Sequence, residues 1–202
     1  MIKNIVFDLG GVLIDWNPEY VFLKEFRGDR EKMNWFFNTI CTSSWNEEQD
    51  AGYSIEKATN ERVAMFPKHE RLIHMYYGEW EQMLGFEHTE TVEILRRLHD
   101  SKEHSIYSLT NWSNETFPVA LKKFPFLSWF KGILVSGDVG LKKPDPEIYK
   151  LLLDRYGLEA NTCVFIDDRT ENVKAASALG FSGIVFKNHT QLSKDLKKLN
   201  II

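Results

Sequence analysis

Two short apolar segments of this chain each end in aspartate. Ile5–Phe7 leads directly to Asp8, and Cys163–Ile166 leads to Asp167 and Asp168. Carboxylates that share a protein interior repel one another and lose solvation, so a cluster of them requires a compensating cation. Mg²⁺ is a hard cation that prefers oxygen ligands. If both segments are buried strands ending at one edge of a sheet, the sequence predicts a magnesium site and therefore an enzyme.

The pattern from residue 88 onward alternates between strands and helices. The predicted strands are Lys3–Phe7, Ser105–Leu109, Gly132–Ser136, Thr162–Ile166 and Gly183–Phe186. The predicted helices are Thr91–His99, Glu115–Lys123, a helix from Pro146 to Gly157 with Asp145 as its N-cap, Thr170–Leu179 and Gln191–Leu199. Alternating strands and helices imply a parallel sheet covered on both faces. The predicted fold class is therefore α/β, with a Rossmann-like sheet.

Residues 15–86 have a different pattern, in which strand signals are absent. Apolar residues follow helical spacing at positions 33, 36, 37 and 40, and again at 72, 73, 76, 80 and 83. Asn17-Pro18 and Ser54 are typical of helix starts, and Gly28, Gly52 and Pro67 of helix breaks. We therefore predict an α-helical cap at 15–86, inserted into a Rossmann-like core formed by 1–14 plus 87–202. Because ligands bind at the carboxyl ends of parallel strands, the cap is expected to cover Asp8 as a lid.

Composition limits the classes of partner. The chain has 202 residues, of which 43% are hydrophobic, and its net charge of −4 gives no electrostatic footprint for nucleic acid. No apolar run approaches the length of a membrane span, and the first strand begins too early for a signal peptide to precede it. Cys163 falls in a predicted core strand, so no structural disulfide with Cys41 is expected. We expect a cytoplasmic protein without a nucleic-acid or membrane partner, and the sequence does not indicate its oligomeric state.

Four motifs fall at the predicted strand ends. They are Asp8-Leu9-Gly10-Gly11-Val12, Ser108-Leu109-Thr110-Asn111, Lys143-Pro144-Asp145-Pro146, and Asp167-Asp168 followed by Asn172. In this order, and with a helical cap between the first two, they resemble the haloacid dehalogenase-like superfamily of hydrolases over most of the chain. The run from Asp8 to Pro18, with Trp45 and Asp50-Ala51-Gly52, is most similar to the sugar-phosphatase branch that includes glucose-1-phosphate phosphatases.

The residue types support phosphoryl-transfer chemistry. The Asp8 carboxylate can attack phosphorus and form an aspartyl-phosphate, which divides one difficult step into two. A Mg²⁺ ion held by Asp8 and Asp168 would offset the repulsion between Asp8 and a phosphate. Thr110, Asn111 and Lys143 are the predicted binders of the phosphoryl oxygens, and Lys143 can also hold a carboxylate ionised. The expected partner is a small phosphorylated metabolite.

The resemblance implies two further properties. The backbone carbonyl of Gly10 would be the third metal ligand, and Asp167 would reach the metal through water or orient a ligand. Most phosphatases of this superfamily carry a second aspartate at the position of Gly10, where it acts as general acid and base. Asp15 could replace it, the substrate could carry a good leaving group such as a sugar 1-phosphate or acyl phosphate, or catalysis could be lost.

Several alternatives remain open from the sequence. A 2-haloacid dehalogenase also uses an aspartate nucleophile but needs no metal, and a response-regulator receiver places its acidic pair first rather than last. A catalytically impaired protein that binds a phosphometabolite is the non-enzymatic alternative. Asp168 and Glu171 also fit the spacing of a helix-capping box, which would give Asp168 a structural role.

Overall fold

Seven strands form two sheets in this computed structural model, which describes residues 1–202. The strands are β1 (Asn4–Phe7), β2 (Ile14–Trp16), β3 (Leu84–Glu87), β4 (Ser105–Thr110), β5 (Gly132–Val135), β6 (Cys163–Asp167) and β7 (Ser182–Val185). Five of them form a parallel sheet in the order β5-β4-β1-β6-β7. The predicted α/β fold with a parallel sheet is confirmed, and β1 is its central strand.

Six helices lie between β2 and β3. They are α1 (Glu19–Glu25), α2 (Arg30–Thr39), α3 (Ser43–Asp50), α4 (Ile55–Met65), α5 (Glu70–Gly78) and α6 (Trp80–Met83), with a 3-10 turn at Pro67–His69. The expectation that strands are absent from this segment is wrong at both of its ends, because β2 and β3 pair antiparallel there. Strands of three and four residues are too short to show the alternation by which a strand is recognised.

Six further helices accompany the parallel sheet. They are α7 (Thr89–Ser101), α8 (Phe117–Lys123), α9 (Ser136–Val139), α10 (Pro146–Tyr156), α11 (Thr170–Ala178) and α12 (His189–Lys198). The predicted limits of α10 are confirmed: the Asp145 side chain accepts a hydrogen bond from the backbone N–H of Glu147 at 2.9 Å, and Gly157 ends the helix with φ +63°. No helix of the protein has both the length and the apolar composition to span a bilayer.

The two faces of the parallel sheet pack against separate apolar clusters. Alternate residues of β1 point to opposite faces, so Val6 belongs to one cluster, and Ile5 and Phe7 belong to the other. The larger cluster continues from the sheet into the segment between β2 and β3, where it includes Phe22 and Phe36. The inserted helices therefore share a continuous hydrophobic core with one face of the sheet.

A close contact fixes the carboxyl-terminal end of α3 against the edge of the parallel sheet. Gly52 has φ +89°, and a Cβ atom there would lie 2.8 Å from the carbonyl oxygen of Gly137. The Ser136 hydroxyl donates a hydrogen bond to the carbonyl of Asp50 and accepts one from the backbone N–H of Trp112 at 2.8 Å. The loop after α3 is thereby held against the loop that follows β4 and against α9, which follows β5 directly.

This contact predicts a specific effect of a methyl group. Gly52→Ala places a Cβ against a backbone carbonyl and forces alanine into a left-handed conformation, which we expect to lower the free energy of unfolding by about 1–3 kcal/mol. Gly78→Ala is the control, since no atom lies within 4 Å of a Cβ at this helical position. The control should be neutral or stabilising by up to about 1 kcal/mol. Urea unfolding of both variants measures the difference, and equal stabilities would contradict the described contact.

Candidate active site

The carboxyl ends of three adjacent strands bring the predicted residues together. Phe7 of β1 is paired with Ser108 of β4 on one side and with Ile166 of β6 on the other. Asp8 therefore leaves the sheet between the ends of β4 and β6. Ligand oxygens of the carboxylates Asp8, Asp167 and Asp168 all lie within 4.8 Å of one another. The carboxylate cluster expected from the sequence is present.

Lys143 is the counter-ion of this cluster. Its side chain is 1% exposed, and Nζ lies 2.9 Å from Asp8 Oδ1 and 2.7 Å from Asp167 Oδ2. Nζ also donates a hydrogen bond to the carbonyl of Leu109 at 2.8 Å. All three protons of the ammonium group therefore have an acceptor at the edge of the sheet, as a buried lysine requires.

The charges in the cluster do not balance. Three carboxylates face one ammonium group, so full ionisation leaves an excess of two negative charges. Burial raises the pKa of the Asp8 carboxyl, as does the charge of Asp167, although Lys143 opposes both effects. Burial and Asp167 also raise the pKa of Asp168. Burial alone would lower the pKa of Lys143, but the two carboxylates that it contacts raise it. The cluster is thus suited to a divalent cation.

Asp167 holds Lys143 in place. Its carboxylate is fully buried and accepts hydrogen bonds from Asn172 Nδ2 at 3.0 Å and from the backbone N–H of Arg169 at 2.8 Å, besides the contact with Lys143. The Tyr149 hydroxyl in turn donates a hydrogen bond to the Asn172 carbonyl at 2.9 Å. The side chain of Asp167 is therefore engaged on both oxygens, whereas that of Asp168 is exposed.

Gly11 makes room for Asp168. A Cβ atom at Gly11 would lie 2.6 Å from Asp168 Oδ2, and Gly11 adopts φ +72°. The alternative role of Asp168 as a helix cap is wrong, because α11 has Arg169 at its N-cap position and no side chain caps the helix. The carboxylate of Asp168 is consequently available to a ligand beside Asp8.

The structure places Asn111 and Thr110 at the end of β4. The side chain of Asn111 forms two hydrogen bonds with the backbone of Lys143: Nδ2 donates to the carbonyl at 2.9 Å, and Oδ1 accepts from the N–H at 2.8 Å. Asn111 therefore positions Lys143, a role that the sequence did not indicate. Thr110 is buried at the end of its strand and takes no part in the hydrogen bonds of Asp8. Binding of phosphoryl oxygens by Thr110 and Asn111 stays a prediction.

Two adjoining cavities open beside the cluster. The smaller, of about 120 Å³, includes Gly10, Asn111, Trp112 and Trp80 in its lining, and the larger has a volume of about 420 Å³. Trp16, Asn46 and Asp50 line both cavities. The inserted helices therefore form one wall of a space whose other wall is the edge of the sheet.

Asp50 belongs to this space, and Asp15 does not. The Tyr20 hydroxyl donates a hydrogen bond to Asp15 Oδ2 at 2.6 Å in an exposed position, and Asp15 lines neither cavity. Because side chains alternate along β2, Trp16 faces the cavities and Asp15 faces away from them. The sequence identified Asp50 only as part of a resemblance, since nothing in its spacing from Asp8 places the two together.

Glu47 links the insertion to the edge of the sheet. Its carboxylate lies 3.0 Å from Lys142 Nζ and 3.4 Å from a guanidinium nitrogen of Arg169. Partial burial would raise the pKa of Glu47, but Lys142 and Arg169 lower it. These ion pairs were not predicted, because they join residues that are far apart in the sequence.

Adjacent lysines provide a matched test of the buried ion pairs. Lys143→Met leaves Asp8 and Asp167 without a counter-ion, and we expect it to lower the free energy of unfolding by about 3–5 kcal/mol. Lys142→Met removes a partly exposed pair and should cost no more than about 1 kcal/mol. Chemical denaturation in EDTA measures both, and a similar loss from both variants would contradict the role given to Lys143.

Comparison with known proteins agrees with this arrangement. The chain is 35% identical over 120 residues to flavin mononucleotide hydrolase 1 of Arabidopsis thaliana, and this match covers 58% of the chain and only 47% of the plant protein. It is 26% identical to the sesquiterpene phosphatase astK of Aspergillus oryzae over 98% of the chain and 96% of that protein. Among solved structures, a HAD family enzyme from Bacteroides thetaiotaomicron in a magnesium complex gives a TM-score of 0.72 at 25% identity, covering 93% of this chain and 94% of that one. The sequence profile of the haloacid dehalogenase-like hydrolases matches residues 2–180, and the chain belongs to that family.

Proposed function

We propose that this chain is a Mg²⁺-dependent phosphatase that hydrolyses a small phosphomonoester through an aspartyl-phosphate on Asp8. The observation that carries the proposal is the cluster of three carboxylates around one buried ammonium group, with its excess of two negative charges. The names of the relatives support the reaction class, because two of them are a flavin mononucleotide hydrolase and a sesquiterpene phosphatase. Residues 1–14 plus 87–202 form the catalytic core, and 15–86 form the cap.

The donor set fits magnesium. The proposed ligands are the carboxylates of Asp8 and Asp168 and the backbone carbonyl of Gly10, all of them oxygen donors of the type that Mg²⁺ prefers. The space that Gly11 leaves for Asp168 brings that carboxylate to the side of Asp8. A bound Mg²⁺ supplies charge neutralisation between Asp8 and an incoming phosphate.

Asp8 is oriented for nucleophilic attack. Its Oδ1 accepts a hydrogen bond from the backbone N–H of Leu9 at 2.8 Å and forms an ion pair with Lys143 Nζ at 2.9 Å, and these two contacts hold the carboxylate in place. A carboxylate oxygen attacks phosphorus, the ester oxygen leaves with a proton, and water then hydrolyses the aspartyl-phosphate to restore Asp8. Lys143 stabilises negative charge on the phosphoryl oxygens, and Thr110 and Asn111 bind them.

The cavities favour a small polar substrate such as a sugar 1-phosphate. The larger cavity has about the volume of a typical small-molecule site. The indole N–H groups of Trp16 and Trp80 are buried without a hydrogen-bond partner in the protein, and both residues line the smaller cavity. A ligand rich in acceptor oxygens would satisfy them, whereas a purely apolar group would not.

The first experiment is phosphate release from a panel that includes glucose 1-phosphate, acetyl phosphate and simple alkyl phosphates. We expect release in Mg²⁺, loss of release in EDTA, and a fall to background in Asp8→Asn, because an amide cannot form the covalent intermediate. Asp15→Asn is the matched control, since Asp15 lies outside the cavities, and it should retain activity within about twofold of the parent protein.

Two results would contradict this proposal in different ways. Metal-independent halide release from a 2-haloacid would assign the chain to the dehalogenase chemistry of the same family. A folded protein that binds Mg²⁺ and phosphometabolites but releases no phosphate from any of them would be a binding protein.

The ligand role of Asp168 has its own test. Asp168→Asn removes one anionic donor and leaves Asp8 and Lys143 paired, so we expect the Mg²⁺ concentration at half-maximal activity to rise at least about tenfold. Activity at saturating Mg²⁺ should fall less than it does in Asp8→Asn. An unchanged Mg²⁺ requirement would remove Asp168 from the ligand set.

A further inference from the structure

Hydrolysis of an alkyl phosphomonoester requires a proton donor for the departing oxygen. Without one the leaving group is an alkoxide, and general acid catalysis of such steps typically contributes about 10²–10⁴-fold. Near Asp8, Asp167 holds Lys143, and Asp168 is a proposed Mg²⁺ ligand. Gly10 offers no side chain, and no atom lies within 4 Å of the position that a Cβ would occupy there. The proton must come from another wall of the cavity.

Asp50 is the only ionisable side chain that lines the smaller cavity. The other lining residues, apart from glycine, are two asparagines and three tryptophans. Asp50 ends α3 and is partly buried, and its Oδ2 accepts a hydrogen bond from Asn46 Nδ2 at 3.2 Å. The group is therefore held across the cavity from the backbone of Gly10.

The end of α3 that carries Asp50 is anchored to the edge of the parallel sheet. The carbonyl of Asp50 accepts from the Ser136 hydroxyl, and Gly52 packs directly on the backbone of Gly137. Ser136 also bonds to the N–H of Trp112, which lines the same cavity. A proton donor has to be held at a constant distance from the reacting atom, and these contacts provide that rigidity.

The surroundings of Asp50 favour its protonated form. Burial and the negative charge of Glu47 raise the pKa of this carboxyl to about 7, although Lys142 and the backbone N–H of Ser113 oppose the shift. Lys142 and Arg169 are both paired with Glu47. The buried hydroxyl groups of Tyr76 and Tyr77 also lie near Asp50, and both keep their protons at neutral pH. Glu19 and Cys41 line the larger cavity with Asp50.

We infer that Asp50 is the general acid and base of this phosphatase, in the space that Gly10 leaves open. This inference rests on the proposed function. As the Asp8 oxygen bonds to phosphorus and the ester P–O bond breaks, the Asp50 carboxyl transfers its proton to the departing oxygen. The Asp50 carboxylate then accepts a proton from the water that attacks the aspartyl-phosphate. Phosphate and the Asp8 carboxylate are released, and Asp50 is protonated again.

The test compares leaving groups within one variant. For Asp50→Asn, we expect kcat/KM for an alkyl phosphate to fall about 10²–10⁴-fold, because an alkoxide needs the proton. With p-nitrophenyl phosphate or acetyl phosphate the departing oxygen needs no protonation, so kcat/KM should fall by less than about tenfold. Glu48→Gln, at an exposed position of the same helix, is the control and should change neither rate.

A second variant examines the geometry. The backbone of Gly10 is not in the left-handed region and has open space at its Cβ, so Gly10→Asp is sterically accommodated. When Gly10→Asp is introduced into Asp50→Asn, kcat/KM for the alkyl phosphate should rise at least about tenfold above that of Asp50→Asn alone. If Asp50→Asn loses equal activity toward both kinds of substrate, the role of Asp50 is structural. If it keeps full activity toward the alkyl phosphate, another group donates the proton. Either result overturns the inference. A parent protein inactive on every substrate would instead overturn the proposed function itself.

Discussion

The arrangement of the active site depends on the contacts of Lys143 with Asp8 and Asp167. Burying one ammonium group and two carboxylates is costly unless each charge finds a partner at hydrogen-bond distance, and removing a single member leaves the others uncompensated. The strand order satisfies this requirement, because it sets β1 directly beside β6. Asn111 then fixes the backbone of Lys143 and Asn172 fixes the carboxylate of Asp167. The ends of β4, β1 and β6 are thus tied together by side chains as well as by the sheet.

The sequence predicted those features that local chemistry determines. Asp145, Pro146 and Gly157 mark the limits of α10 because capping and helix termination depend on a few adjacent residues. The acidic cluster followed from a general property of parallel sheets, since the carboxyl ends of adjacent strands meet at one edge. The partner of Asn111 could not be predicted in this way, because its hydrogen bonds join positions 32 residues apart through the loop before α10. The position of Asp50 depends on how α3 packs on the sheet, which no local pattern encodes.

The inserted helices and the edge of the sheet contribute different residues to the site. The acidic cluster lies entirely at the strand ends, whereas Trp16, Asn46 and Asp50 enter the cavities from the insertion and its base. The two parts are joined by one hydrophobic cluster and by the ion pairs of Glu47. Changes in the insertion can therefore alter the lining of the cavities while the carboxylates and Lys143 are retained.

A carboxylate that acts as a nucleophile and one that donates a proton need different electrostatic surroundings at the same site. Asp8 and Asp167 lie against the buried ammonium of Lys143, whose charge opposes the effect of burial on the pKa of Asp8. Asp50 has no such partner, because the nearby cations, Lys142 and Arg169, are both taken by Glu47. Its burial is therefore only partly offset, and its pKa is raised to about 7. The ion pairs of Glu47 thus affect the cavity indirectly, because they occupy the cations that could otherwise pair with Asp50, the one ionisable residue in the lining of the smaller cavity.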